Sequence, residues 1–463
     1  MSPATRATVL VPLIVGCAQF MHQFDGSAIT VAVPAMAESL NEDPLRLNLA
    51  ITCYLLALAV FVPISGWMAD RYGAKRIFLA AIALFTFSSA MCGLSNSLIE
   101  IVWWRTLQGV GGAMMTPVGR VIVVKSVPRL EIVRAMNYVT IPAVLGPVIG
   151  PSVSGFIVTY FSWPWIFFTT IPIGLVGLAL VYAYIPNLKE EKVPPLDLRG
   201  FILIGVALAG LVFGFATIGR GPLPTLVIVA AIVLGTIAAI LYYLHYRRAP
   251  NPIIDLSLLK IQTFGASVWG GALFYLGTTS QVFLFALLFQ IGFGFSAFHA
   301  GLILLSSAAG STVMRFTFRP ILQVFGFRWL LILNAVVCAL FLVACSQFTE
   351  TTPLTLIAVV LFIGGFSRSM QFTAVQSLGY AEVSKELMSR ATSLSAMSQQ
   401  LMQSVGVGLA ALIVYLNMTA HGRTTLTADD VAAGFLTMGV LAILSTIIFL
   451  RLPARAGAEL TGS

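Results

Sequence analysis

Charged side chains are scarce in this sequence. Asp, Glu, Lys and Arg together make up 9% of its 463 residues, whereas hydrophobic residues make up 58%. Soluble globular chains carry about 25% charged residues, so a chain this poor in charge cannot cover a surface that faces water. The scarcity excludes a soluble protein and predicts an all-α polytopic membrane protein.

Cysteine is also rare. The five cysteines lie within apolar segments and have neither metal-ligand spacing nor a disulfide framework: Cys17, Cys53, Cys92, Cys338 and Cys345. No paired catalytic groups of the Ser-His, two-Asp or His-x-x-x-His kind stand inside these segments, and no polar stretch is long enough for a soluble domain. We therefore expect no enzyme, no catalytic residue, no metal and no cofactor.

Long hydrophobic runs, by contrast, are abundant. A membrane-spanning helix needs about 20 mostly apolar residues. We predict fourteen such segments, at 8–36, 47–69, 76–95, 98–123, 133–160, 164–185, 199–218, 224–244, 263–291, 297–318, 328–347, 353–378, 390–416 and 429–450. The first is too long for the apolar region of a signal peptide and is interrupted by His22 and Asp25, so we take it as a spanning helix.

The connections between these segments are short. The longest polar one, "NLKEEKVPPLDLRG" at 187–200, contains charges and two prolines that favour an extended linker. We expect three parts: an N-terminal six-helix half at 1–186, the linker with two extra transmembrane helices at 187–261, and a C-terminal six-helix half at 262–463.

The formal net charge of +9 reflects where Lys and Arg stand in the loops. No basic stripe or nucleic-acid motif accompanies it, so we expect no nucleic acid partner. With the N-terminus inside, the outer loops contain only Arg46, Arg220 and Arg423 and no lysine. Because positive residues concentrate on the cytoplasmic side, both termini are predicted to be cytoplasmic.

One carboxylate stands where charge is otherwise avoided. Of the seventeen Asp and Glu residues, only Asp25 lies deep in an apolar segment. An ionised aspartate at the bilayer centre costs about 2.5–3.5 kcal/mol on insertion scales, and burial favours its neutral form, which suits reversible proton binding. His22, three residues earlier on the same helix face, is a second proton carrier, a partner that tunes Asp25 or a polar cavity residue.

Two of the arginines inside apolar segments are candidate site residues, Arg105 and Arg368. Arg105 is the natural counter-charge for Asp25, because both segments belong to the same half, and Gln108 follows one turn later on the same face. Arg368 has no carboxylate in its own half, so it either meets Asp25 across a central cavity or binds an anionic substrate. Further candidates for the cavity lining are Phe24, Tyr54, Tyr138, Tyr275, Phe283 and Gln371.

Several motifs resemble those of the major facilitator superfamily. The loop "GWMADRYGAKR" at 66–76 resembles its signature loop, which places the inner gate at Gly66, Asp70, Arg71, Gly73, Lys75 and Arg76. The corresponding "FRPILQVFGFR" at 318–328 has Gln323 and Val324 in the Asp-Arg positions, so we expect an asymmetric gate. We predict that Asp70 approaches the next-to-last segment near Ser389 and Arg390 when the inside is closed.

A second group of motifs resembles the drug:proton antiporters with fourteen spanning helices. "GPVIGPSVSG" at 146–155 is similar to the antiporter motif and contains Gly146, Pro147, Gly150 and Pro151, although Pro151 stands where a second glycine is usual. "FDGSAITVAVP", "SWPWIFFTTIPIG" and "FQIGFGFSAFHAGL" resemble other stretches of that family.

The resemblance implies a proton-coupled exporter of small organic molecules that works by alternating access. It implies a monomer in the bacterial inner membrane, driven by the proton gradient, whose partners are the substrate, protons and the lipid bilayer. The alternatives are an exporter of an anionic metabolite or a metal chelate of the siderophore or metal–citrate type, and a non-transporting sensor on the same fold. The sensor is disfavoured because the motifs are intact and no regulatory extension is present.

Overall fold

A computed structural model describes residues 9–42, 44–191, 193–218, 224–295, 297–423, 426–453 and 456–457. Regular structure within these ranges is entirely helical. The α-helices are α1 Val11–Leu40, α2 Pro44–Phe61, α3 Ser65–Tyr72, α4 Ala74–Leu94, α5 Leu98–Ser126, α6 Ile132–Tyr160, α7 Pro164–Phe168, α8 Thr170–Tyr184, α9 Leu198–Thr217, α10 Thr225–Tyr246, α11 Gln262–Thr278, α12 Gln281–Ala286, α13 Ala297–Ser346, α14 Leu354–Gly379, α15 Met388–Ala420 and α16 Ala428–Phe449.

Many of these helices are of transmembrane length. Among the described residues, twelve helical stretches are long and apolar enough to cross a membrane. They coincide with the second to fourteenth predicted segments, the tenth and eleventh being joined in α13. The first predicted segment forms α1, a helix of 30 residues. The chain is therefore an all-helical, multi-pass membrane protein.

The predicted loop at 318–328 is reduced to a kink at Gly326, where two helices meet. Helix α13 runs through it, and only Gly326 departs from helical geometry, with φ 65° and ψ 169°. The apolar residues before Gly326 continue the helix, whereas glycine adopts a positive φ at little cost. In the first half Gly73, with φ 98°, ends α3 in the same way.

The chain divides into two compact units. The first comprises Met1–Phe213, Val229–Leu256 and Val383–Met397, and the second comprises Gly214–Ile228, Ser257–Glu382 and Ser398–Ser463. The core of the second unit is a cluster of aromatic and aliphatic side chains that includes Phe285, Phe289, Phe341 and Phe435. Phe285 stacks on Phe289 with ring centroids 5.5 Å apart.

In the first unit α1 packs closely on α6 through the motif at 146–155. A Cβ at Gly146 would lie 2.8 Å from the backbone nitrogen of Phe24, and one at Gly150 would lie 3.1 Å from the Phe24 carbonyl oxygen. The Ser154 hydroxyl donates to the Ala28 carbonyl at 2.7 Å. Helix α6 remains helical across Pro147 and Pro151, so this motif fixes how closely α1 approaches α6.

Candidate functional site

The deep carboxylate lies in a buried cluster of three polar side chains, which we call the Asp25 cluster (Asp25, Arg105 and Gln108). Asp25 is 1% exposed, and Arg105 and Gln108 are 0% exposed. Arg105 Nη1 donates to Asp25 Oδ2 at 2.5 Å, and Gln108 Nε2 donates to Asp25 Oδ1 at 3.0 Å. Arg105 Nη1 also lies 2.6 Å from Gln108 Oε1. The predicted pairing of Asp25 with Arg105 is thus present, and each carboxylate oxygen accepts a hydrogen bond.

Helix α5 positions the two donors of this cluster. Arg105 and Gln108 are three residues apart, so they lie on neighbouring positions of one helix face. Two glycines on the following turn allow α2 and α1 to approach. A Cβ at Gly109 would lie 2.5 Å from the Tyr54 carbonyl oxygen, and one at Gly112 would lie 3.0 Å from His22 Nδ1. The glycine-rich sequence after Arg105 is therefore a packing requirement of the site.

Tyr54 connects His22 to the cluster. Its ring lies under the guanidinium group of Arg105, with 4.2 Å between Arg105 Cζ and the ring centroid, a cation–π distance. Its hydroxyl is 2.6 Å from His22 Nδ1. The sequence predicts Tyr54 in the cavity lining, but the structure buries it to 2% exposure between an arginine and a histidine. His22 thus reaches the cluster through Tyr54.

The charge balance of the cluster limits what it can do. One carboxylate faces one guanidinium in a site closed to solvent, and removing one charge leaves the other uncompensated. Arg105 Nε and Nη2 are buried and have no hydrogen-bond partner in the part of the chain that the structure describes. A neutral side chain at position 25 would therefore leave the Arg105 guanidinium without its counter-charge.

A second polar site lies at the loop 66–76, which resembles the signature loop. Asp70 Oδ1 accepts a hydrogen bond from the Ser389 hydroxyl at 2.5 Å, at the start of α15, as the sequence predicts. The Ser65 and Ser393 hydroxyls are 3.0 Å apart. A Cβ at Gly66 would lie 2.5 Å from the Ser389 carbonyl oxygen, so only glycine permits this approach. A carboxylate beside a helix N-terminus is stabilised by the helix dipole.

The basic residues of the same loop are either exposed or bonded to another helix. Arg71 and Arg76 are exposed, and Lys75 Nζ donates to the Tyr182 carbonyl at 2.7 Å. Two residues missing from the predicted gate complete it: Lys125 Nζ lies 3.5 Å from Asp70 Oδ1 and 2.7 Å from Glu190 Oε1. In the sequence, Lys125 stands just after an apolar segment and Glu190 stands in an acidic run of the linker, and neither feature indicates a contact with Asp70.

The other aromatic residues that the sequence predicts in the cavity lining contact side chains outside the Asp25 cluster. Phe24, 4% exposed, belongs to an apolar cluster of the first unit, and Tyr138 lies 6.0 Å below the Arg134 guanidinium. In the second unit, Tyr275 contacts Phe372 and Phe283 packs against the phenylalanine cluster.

Gln371 is fully buried between α13 and α14. It accepts from Asn334 Nδ2 at 2.9 Å and donates to the Leu331 carbonyl at 3.0 Å. Asn334 Nδ2 also donates to the Ser367 carbonyl at 2.8 Å. Asn334 is absent from the sequence-based candidates, because its signal is only a single asparagine inside an apolar segment.

Arg368 is a half-buried cation on α14. It forms no hydrogen bond or ion pair with any residue that the structure describes. It stands nine residues after Val359, which is 56% exposed, and at about 100° per residue the two side chains leave opposite sides of the helix. Arg368 therefore faces the interior of its unit, where a cation is costly without an anion.

Metal-binding residues do not cluster in the described part of the chain. Within it, no group of three or more His, Cys, Asp or Glu side chains is arranged to hold a metal ion.

Comparison with known proteins identifies the family to which this chain belongs. The model of the Major Facilitator Superfamily matches residues 15–407. Proteins named as multidrug resistance protein MdtD are similar over 95% of this chain: one from Pectobacterium atrosepticum is 37% identical and covered to 95%, and one from Escherichia coli K12 is 36% identical and covered to 94%.

Solved structures share the fold at low sequence identity. The proton:xylose symporter XylE is 14% identical, with a TM-score of 0.67 and 98% of each chain covered. The human organic anion transporter MFSD10 is 15% identical, with a TM-score of 0.65 over 97% of this chain and 100% of its own. The chain belongs to the Major Facilitator Superfamily and is an MdtD-like, multidrug-type membrane transporter of that family.

Proposed function

We propose that this transporter is a proton-coupled exporter of small organic molecules that works by alternating access. The observation that carries the proposal is the Asp25 cluster: a carboxylate 1% exposed within a membrane helix, with both oxygens hydrogen-bonded to Arg105 and Gln108. Such a group is costly in a membrane and is retained where it has a function. A single carboxylate can bind and release a proton reversibly. The proton gradient would then drive transport, and no cofactor is required.

In this mechanism the ion pair between Asp25 and Arg105 breaks and re-forms during each transport cycle. A proton that arrives from the outer side neutralises Asp25 and weakens its bond to Arg105 Nη1. The outward-facing state is then free to close. Release of the proton to the cytoplasm restores the ion pair and a site that accepts new substrate, so proton entry and substrate exit alternate. Tyr54 supports the guanidinium through its ring during this change, and His22 in turn contacts the Tyr54 hydroxyl.

Asp70 acts at the inner gate in this proposal. Its hydrogen bond to Ser389 holds the signature loop against the start of α15, which corresponds to a closed cytoplasmic end. Opening requires this bond and the contact between Ser65 and Ser393 to break.

We further propose fourteen membrane crossings. Twelve stretches in the described residues satisfy the length and hydropathy of a span. Helix α1 adds one, and division of α13 at Gly326 adds another, since each side of that glycine has spanning length. An even number of crossings puts both termini on the same side of a bacterial inner membrane, and the loop charges make that side cytoplasmic. We take the working unit to be a monomer.

Transport in proteoliposomes tests this function. The purified protein is reconstituted, a pH gradient is imposed, and cationic dyes are screened against anionic chelates while luminal pH is followed. We expect substrate movement with counterflow of protons in wild type and none in Asp25→Asn. Glu38→Gln is the matched control, because Glu38 is an exposed carboxylate near the end of the same helix. Substrate-driven proton flux that survives in Asp25→Asn contradicts the proposal.

Arg368 favours a second candidate substrate class, an anionic metabolite or metal chelate. Its guanidinium has no anionic partner in the described residues and faces the interior of its unit. An anionic substrate group would supply the missing charge. Arg368→Gln should then raise the KM for anions by about 10- to 150-fold, since one charge-assisted hydrogen bond contributes about 1.5–3 kcal/mol. Arg319→Gln, at an exposed arginine of α13, is the control.

A further inference from the structure

Two cytoplasmic connectors flank the helix pair α9 and α10. The first connector is the segment 185–197 before α9, whose described residues are non-helical, and the second connector is the segment 247–255 after α10. A six-plus-six arrangement of helices does not need this pair, and the proposed transport mechanism assigns it no task. The contacts of the connectors indicate one.

The first connector is attached to the Asp70 side of the inner gate. The backbone N–H of Glu190 donates to the Asp70 carbonyl at 3.3 Å, and the Glu190 carboxylate lies 2.7 Å from Lys125 Nζ. Lys125 in turn contacts the Asp70 carboxylate at 3.5 Å. Further along, Trp67 Nε1 donates to the Pro194 carbonyl at 2.9 Å. The connector is therefore bonded to both ends of the helical turn that contains Asp70.

The second connector is attached to the Ser389 side. Asp255 Oδ2 lies 3.5 Å from Arg390 Nη1, and Arg390 directly follows Ser389, the hydroxyl donor to Asp70. The two connectors are also joined to each other. Asp197 of the first accepts from the backbone N–H of Ile253 at 3.3 Å and lies 2.8 Å from His245 Nε2 at the end of α10.

These attachments are few and polar. A cavity of about 620 Å³ separates the connectors from the gate, and its walls include Trp67, Asp70, Pro194 and Arg390. Ile185 and Ile254 anchor the connectors in the apolar core of the unit, whereas the contacts described above with the residues around Asp70 and Ser389 are hydrogen bonds and ion pairs. Contacts of this kind can break and re-form during a transport cycle without unfolding a core.

We propose that the two connectors form a clamp across the inner gate. Glu190 and Asp255 are its positioning residues: one fixes Lys125 beside Asp70, and the other fixes Arg390 next to Ser389. The clamp gives the extra helix pair a role, because the cytoplasmic end opens only when the connectors release. The proposal rests on the proposed function of the Asp70–Ser389 contact as the inner gate.

Accessibility of a buried gate position tests the clamp. Ser65→Cys places a thiol at a site that is 0% exposed and faces Ser393 across the gate. A membrane-impermeant maleimide is added to inside-out vesicles, and modification of the introduced thiol is measured by peptide mass spectrometry. Since partly exposed ion pairs contribute little each, we expect Glu190→Gln and Asp255→Asn to increase the modification rate about two- to fivefold.

Two controls make the result decisive. Glu191→Gln removes a carboxylate from the same connector that has no ion pair among the described residues, and it should leave the rate unchanged. The charge exchange Asp255→Arg with Arg390→Asp should restore the slow wild-type rate, which separates loss of the ion pair from misfolding. Equal rates in Glu190→Gln, Asp255→Asn and Glu191→Gln overturn the clamp, as does an exchange variant as fast as Asp255→Asn.

The labelling experiment does not depend on transport. If wild type shows no pH-driven export but the two variants are modified faster, the proposed function is wrong and the clamp stands. If export is proton-coupled but the rates do not change, the clamp alone is wrong.

Discussion

Removal of the buried carboxylate has a cost that the structure allows us to estimate. In Asp25→Asn the guanidinium of Arg105 stays fully buried, and arginine cannot lose its proton to escape the cost. The asparagine has one side-chain oxygen where the aspartate has two. Arg105 Nη1 and Gln108 Nε2 each bond a different carboxylate oxygen, so one of these donors loses its acceptor.

The magnitude follows from the uncompensated charge. Breaking a buried ion pair by removing one partner costs about 3–5 kcal/mol, and this range includes the unsatisfied donor. The double variant Asp25→Asn with Arg105→Gln removes both charges. We expect it to be more stable than the sum of the two single effects implies, with a coupling energy of about 1–3 kcal/mol between the two positions.

A double-mutant cycle in mixed micelles measures this coupling. Reversible unfolding by SDS, followed by circular dichroism, gives the free energy of unfolding for wild type, both single variants and the double variant. The pair Glu131 and Arg134 is the control cycle, because its atoms are 3.8 Å apart and the side chains are 29% and 49% exposed. Its coupling should lie below about 1 kcal/mol. Additivity at Asp25 and Arg105 within about 0.5 kcal/mol would refute the assignment of a buried ion pair.

Three further predictions concern the gate and the second unit. Asp70→Asn should slow export about two- to tenfold with substrate binding unchanged, because a neutral acceptor bonds Ser389 more weakly than a carboxylate; parallel measurements of flux and equilibrium binding check it. Gly66→Val should keep the gate from closing, since its Cβ would lie 2.5 Å from the Ser389 carbonyl; faster maleimide modification of a thiol at position 65 shows it. Asn334→Leu should cost about 1–3 kcal/mol by leaving the Gln371 side-chain oxygen without its donor, and Asn334→Leu with Gln371→Leu should recover part of that loss on SDS titration.

The pairing of Asp25 with Arg105 could be predicted because a charged side chain inside a membrane is costly unless it pairs with an opposite charge or faces a polar cavity. A lone deep carboxylate requires a nearby cation, and Arg105 is an arginine inside an apolar segment of the same half. The approach of Asp70 to Ser389 was predicted from the motif that resembles the family's signature loop. The lengths of the apolar runs predicted most helix boundaries within a few residues.

Aromatic residues were predicted less well. A tyrosine or phenylalanine in an apolar helix gives the same pattern whether it lines a cavity, packs in a core or faces lipid. Phe24 and Phe283 proved to pack in apolar clusters, and Tyr54 proved to hold Arg105 and His22. The connectors were equally hard to predict, because an extended segment has no periodicity that indicates its neighbours.

Trp67, whose indole N–H donates to the Pro194 carbonyl, is a natural fluorescent probe of the junction between the first connector and the gate. Tryptophan emission responds to hydration of the indole ring, and this indole is half-buried at the junction of the first connector and the gate. The sequence contains seven tryptophans, so replacement of the other six by phenylalanine leaves a single fluorophore at that junction. If the proposed clamp releases, the emission should change in real time, without an attached dye and without knowledge of the substrate.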